Sequence, residues 1–122
     1  MKRDVDLQRL ILAFIEEHSP PQGGLDRSLE IEGYDQATVL AHAQLLIEDG
    51  YVDGKVLETG FGPVNVAIRK LTNRGHEAIA ATKNDTAWQK AKKTAVDKGA
   101  SLTLGVLVEI AKLEIRKHLR LP

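Results

Sequence analysis

The side chains able to do chemistry are few and scattered. The four histidines, His18, His42, His76 and His118, fall on separate stretches, and no His-Glu-x-x-His or similar pair sets two metal ligands on one helical face. With no cysteine in 122 residues there are no thiol nucleophiles, thiolate metal sites or disulfides, which fits a cytoplasmic protein. His76-Glu77 stands at a helix start, where cap and dipole chemistry explain the pair better than acid–base work. His42 lies at the edge of an apolar stripe, the place of a hydrogen-bonded packing residue. Gly23-Gly24 and Gly60-x-Gly62 are turn glycines, because neither belongs to the strand, glycine-rich loop and helix series that cradles phosphate. This inventory predicts no enzyme, no metal, no cofactor and no small-molecule ligand.

Cations are the remaining chemistry. The chain is neutral overall, yet residues 1–62 hold five Lys/Arg against twelve Asp/Glu, and residues 63–122 hold twelve against five, balances of −7 and +7. Such polarity points to a polyanion for the basic half, or to halves that neutralise each other within the fold or between copies. If duplex DNA is bound, the candidates are Lys55, Arg69, Lys70, Arg74, Lys90, Lys92 and Lys93, with Phe61 at a hairpin tip. The competing reading makes Lys90, Lys92 and Lys93 the solvated face of a helix anchored by Trp88.

Periodicity supplies the elements that must position these groups. A first helix runs from Asp4 to His18, with Val5, Leu7, Leu10, Ile11, Phe14 and Ile15 as its apolar stripe, and Ser19-Pro20-Pro21 stops it. Leu29 and Ile31 alternate with polar residues over Ser28 to Ile31, enough for a short strand. Asp35 caps a helix to Asp49 that buries Val39, Leu40, Ala43, Leu46 and Ile47, and Gly50 ends it. Tyr51 to Leu57 and Val64 to Leu71 form a hairpin. Thr72 then caps a helix to about Lys83, Asp85 caps one from Thr86 to Lys98, and Ser101 caps one to about Leu119. No apolar run approaches the ~20 residues that span a bilayer.

The fold class is therefore mainly α with a small antiparallel β-sheet: a winged-helix-like domain over residues 1–84 and a C-terminal helical extension over 85–122, part of one compact unit. A winged helix usually has a further helix before the one that enters the major groove. Here that helix is either shrunk into Gly24 to Asp26 or absent. Met1-Lys2-Arg3-Asp4-x-Asp6-Leu7, Ile31-Glu32-Gly33-Tyr34, His42-x-x-Leu45-Leu46-x-x-x-Gly50, Leu71-Thr72-x-x-Gly75-His76-Glu77, Asp85-x-x-Trp88 and Gly99-x-Ser101-Leu102 together resemble a family of small bacterial and phage-borne proteins known as a domain of unknown function. The resemblance covers nearly the whole chain. It implies a winged-helix-like core and a setting on mobile elements, and it implies no activity.

The helix from Gln36 to Asp49 argues against simple groove reading. It has no lysine or arginine, and with its cap it carries −3 from Asp35, Glu48 and Asp49. Phosphate contacts from cations supply most non-specific DNA affinity, so an acidic helix is repelled. Gln44, Thr38 and Ala41 could touch base edges, but Leu45 and the alanines suit a protein surface better.

The C-terminal helix has the broadest apolar surface. Leu104, Leu107, Val108, Ala111, Ile115 and Leu119 form one stripe, and Val106, Ile110 and Leu113 a second beside it. One stripe is expected to pack inward and the other on a partner, giving a homodimer; the alternative is a helix buried wholly in the monomer. The leading expectation for function is a DNA-associated regulatory protein of the transcriptional type, and its rival is a protein-interaction adaptor that keeps the winged-helix shape without binding nucleic acid.

Overall fold

A computed structural model describes residues 1–58, 60 and 65–119. Among them are five helices and one two-stranded antiparallel sheet. Helix α1 (Val5–His18) begins where Asp4, in an extended conformation, accepts the Leu7 N–H through its side chain. Helix α2 (Gln36–Glu48) starts at the Asp35 cap and is closed beyond Asp49 by Gly50, whose φ of +82° suits glycine. Strands β1 (Val52–Leu57) and β2 (Asn65–Leu71) follow, pairing Val52 with Leu71 and Leu57 with Asn65, with an irregularity between Asp53 and Gly54. Helices α3 (Asn73–Thr82), α4 (Asp85–Asp97) and α5 (Leu104–His118) complete the chain.

One hydrophobic cluster joins every element. Leu7, Ile11, Leu12 and Ile15 of α1 meet Val39, Ala43 and Leu46 of α2, Val52 and Leu71 of the sheet, Ile79 of α3, Trp88 and Ala91 of α4, and Leu107 and Ala111 of α5. The core is mainly aliphatic, with Trp88 and Tyr51 as its buried aromatic side chains.

Helix α3 is docked by a glycine. Thr72 caps it by accepting the Gly75 N–H, and Thr72 also donates its own N–H to Tyr51 O at 3.1 Å and its hydroxyl to Gly50 O at 2.6 Å. A Cβ on Gly75 would stand 2.1 Å from Tyr51 O, so only glycine lets the helix start this close to the preceding turn. The Leu71-Thr72-x-x-Gly75 spacing is thus a packing device.

Several expectations are corrected. Ser28 to Ile31 is not a strand: the sheet has two strands among the described residues, and the Leu29 carbonyl accepts from Gln36 Nε2 at 2.9 Å instead of from a neighbouring strand. The linker reaches the sheet elsewhere, through one bond from Gly24 N–H to Arg69 O at 2.7 Å. No helix stands between α1 and α2, so the further helix of a winged helix is absent rather than shrunk into Gly24 to Asp26. The cap of α4 is Asn84 rather than Asp85, and that of α5 is Thr103 rather than Ser101, because these side chains reach Ala87 N–H and Val106 N–H. In α1, Leu10 is 40% exposed, while Leu12 and Gln8 take buried places. Ile115 and Leu119 leave the buried stripe of α5, because an open cleft of about 640 Å³, lined also by Ala80, Ala87 and Lys90, separates the last turn from the α3–α4 junction.

Candidate interaction surface

The expected DNA-binding residues fall in three settings. Lys55 and Lys70 are exposed on the hairpin, and Lys90 and Lys93 are exposed on α4; none of the four has an ion-pair partner among the described residues. Arg69, Arg74 and Lys92 are engaged within the fold. Arg69 lies 3.3 Å from Asp53. Arg74 lies over the Tyr51 ring, 4.2 Å from its centre, and donates to Asp49 O. Lys92 pairs with Asp6 at 2.9 Å. Phe61 lies outside the described residues. The cations therefore do not share one element, and α4 packs on α5 and α3 rather than on the hairpin.

Around Asp6 a polar clamp ties α1 to α4. Its carboxylate accepts from Trp88 Nε1 at 2.7 Å and from Lys92 Nζ at 2.9 and 3.1 Å. Partial burial opposes the charge on Asp6, but the bonds from Lys92 and Trp88 and the charges of Lys92 and Arg9 outweigh it, holding the carboxyl below its ordinary range. Arg9 lies against the Trp88 ring at 5.4 Å and donates to the carbonyls of Thr82 and Lys83, closing the last turn of α3.

A second polar group joins α1 to α2. His42 is fully buried, with Nε2 accepting from the Asp4 N–H at 2.9 Å and Nδ1 at 2.8 Å from Thr38 O. An Nε2 that accepts leaves the proton on Nδ1, so the ring is the neutral Nδ1–H tautomer donating to Thr38 O. Tyr34 hydrogen-bonds Asp4; its hydroxyl is pushed up by desolvation and then by the nearby Asp4 and Asp6 charges. Outside the core, Asp35 is drawn down by the Thr38 backbone and hydroxyl bonds that make it a cap. The residues that carry the family pattern, Asp4, Asp6, Tyr34, His42, Thr72, Gly75 and Trp88, are thus scaffold residues. His42 was placed as a packing residue from the sequence, but its Asp4 partner, 38 positions away, was beyond any local pattern.

No group of three or more His, Asp or Glu among the described residues is arranged to hold a metal. The acidic helix α2 keeps Gln44, a candidate for base contacts, bonded to Glu48 at 2.8 Å, with Leu45 half-buried. Among the described residues no helix is long and apolar enough to cross a membrane.

Helix α5 presents a second apolar row on its outer side. Leu104, Leu107, Val108 and Ala111 are buried inward; Val106 and Ile110 are half-buried and Leu113 is 54% exposed on the adjoining side. Glu109 and Lys112 flank that side 3.5 Å apart, and Lys112 also reaches Glu77 of α3 at 3.5 Å. Leu45, the other expected interface residue, lies on α2 and does not join this stripe.

Comparison with known proteins gives a family and a relative. A family model described as "Hypothetical protein (DUF2513)" matches residues 2–101. An uncharacterized protein of Haemophilus influenzae (strain ATCC 51907 / DSM 11121 / KW20 / Rd) is 32% identical over 119 residues, covering 98% of this chain and 99% of the relative. No solved structure matches the chain. The match over residues 2–101 takes in the motifs of the Asp6 clamp, the Asp4–His42 pair and the Thr72–Gly75 junction, and the chain belongs to the DUF2513 family.

Proposed function

We propose that the chain is a non-enzymatic regulatory module that acts by association, pairing with a second copy through the outer side of α5 and presenting a winged-helix-like unit from that dimer. The observation that carries the reading is the row Val106, Ile110 and Leu113, left half-covered to exposed on a helix whose inner face is already fully used. Apolar rows of this kind mark interaction sites when they are rimmed by polar residues, here Glu109 and Lys112. Hydrogen exchange at rising protein concentration tests it. The amides from 106 to 113 gain protection with concentration if the face pairs; exchange that is independent of concentration counts against it.

A second reading, contact with duplex DNA, is favoured by the exposed Lys55 and Lys70 of the hairpin and by Lys90 and Lys93 of α4. Cations that release counterions from phosphate give weak, strongly salt-dependent binding. Fluorescence anisotropy with a labelled duplex at low salt should show binding that Lys55→Glu with Lys70→Glu weakens and that moderate salt removes. Absence of binding at low salt leaves the adaptor reading alone. Lys92 is a poor probe of this question, since its charge secures Asp6.

A further inference from the structure

We infer that the protein has a carboxylate-binding slot over Gly105, between the start of α3 and the first turn of α5. Tyr51 is only 3% exposed, and its hydroxyl has no hydrogen-bond partner among the described residues. That hydroxyl lies 3.6 Å from the point where a Cβ on Gly105 would be, and Arg74 Nη2 lies 3.9 Å from the same point. Arg74 Nη1 is taken by Asp49 O, and the guanidinium carbon lies over the Tyr51 ring, 4.2 Å from its centre. Two fixed donors therefore converge on one spot with no acceptor between them. Tyr51, Arg74, Gly105, Val106 and Leu113 line a single open groove of about 650 Å³, within the range of ligand sites.

The glycine itself argues for an occupant. Gly105 is the second residue of α5 and has no positive φ, and a Cβ there would meet its neighbours only at ordinary contact distance. Glycine destabilises a helix relative to alanine, so the fold gains nothing from it. What glycine gives is space beneath the two donors.

Charge and shape select the ligand class. The carboxylate of Asp49 pairs with Arg3, and Glu77 and Glu109 both lie 3.5 Å from Lys112, so the charge facing the slot is that of Arg74, aided by the start of α5. The single charge of Arg74 matches a monoanion rather than a phosphate dianion, the Glu77, Glu109 and Lys112 charges on the groove wall adding no further cation. A monocarboxylate has one oxygen for the Tyr51 hydroxyl and one for Arg74 Nη2, and an aliphatic body would lie along Val106 and Leu113. The site goes beyond the proposed association but shares Val106 and Leu113 with it, so a bound carboxylate and a second copy exclude each other on that side of α5.

The test is a titration of the ¹⁵N-labelled full chain with isovalerate at constant ionic strength, with sodium chloride and isovaleramide as controls. Saturable shifts at the Gly105 and Val106 amides and the Arg74 Nε resonance are expected with isovalerate alone. Gly105→Ala should raise the melting temperature while weakening binding by about tenfold or more, and Tyr51→Phe, which removes one donor, should weaken it by about tenfold with the fold intact. The proposal is overturned if the native chain shows no saturable shifts, if the amide acts like the acid, or if both variants bind as the native chain does.

Discussion

At the residue scale, the side chains that stand out by type are mostly holding the molecule together. Asp6 lies below its ordinary carboxyl range in the fold, so its stabilising contribution is present above about pH 4, the unfolded value, and is lost as pH falls through the folded one. The side chain of Asp6 is 47% exposed, which limits the effect at neutral pH to about 1 kcal/mol after solvent screening. Thermal melts of Asp6→Asn and the native protein should therefore differ at pH 7 and converge as the pH drops below about 4. Gln8 is the opposite case. Its amide is buried with neither nitrogen nor oxygen bonded to protein among the described residues, so Gln8→Met should stabilise the fold by about 1–3 kcal/mol in denaturant titrations. Gly75→Ala drives a Cβ into a backbone carbonyl that cannot rotate away and should cost about 3 kcal/mol or more. Caps such as Asp35 and Thr72 were legible because their bonds span three residues. The unbonded state of Gln8 was not, since it depends on what distant parts of the chain bring to the core.

At the element scale, local periodicity located every helix and both strands, while burial followed tertiary cover. Val39, Ala43 and Leu46 lie inward on α2 as the spacing requires, and Leu46 is fully buried. Leu46→Ala should lose about 2–5 kcal/mol, and Gln44→Ala, which gives up only the surface bond to Glu48, should be near neutral. Equal losses in thermal melts would contradict this assignment of faces. Ser28 to Ile31 alternated like a strand yet pairs with neither strand of the sheet, and Leu29 enters the core from a loop. At α5 the apolar period continues through Ile115 and Leu119, but cover from α3 and α4 does not, so the sequence overstated the buried face by a turn. At α4 and α5 the expected caps, Asp85 and Ser101, stand one and two residues from the Asn84 and Thr103 that serve. The choice is made by which side chain reaches the free N–H of the third helical residue.

At the scale of the whole molecule, the opposite charges of the two halves meet inside the fold. Lys92–Asp6, Lys83–Glu16 and Arg69–Asp53 each join a cation of the basic half to an acid of the other. The polarity of the sequence is thereby partly spent on docking α1 and the hairpin, and less of it remains for a polyanion. The candidate carboxylate slot was invisible in the sequence, because Tyr51, Arg74 and Gly105 converge only when α5 lies against α3. The outer apolar row of α5 was legible as a second stripe, since Val106, Ile110 and Leu113 recur beside the buried one.

The central claim, that α5 joins two copies, is tested most directly by sedimentation equilibrium of the native chain and of Leu113→Asp at about tens of micromolar. Leu113 is 54% exposed in the single chain, so the charge should leave the monomer folded with an unchanged melting temperature while placing an unpaired carboxylate in the seam. The account predicts twice 13.4 kDa for the native protein and 13.4 kDa for the variant. A native protein that sediments at 13.4 kDa under these conditions, or a variant that remains at twice that mass, contradicts it.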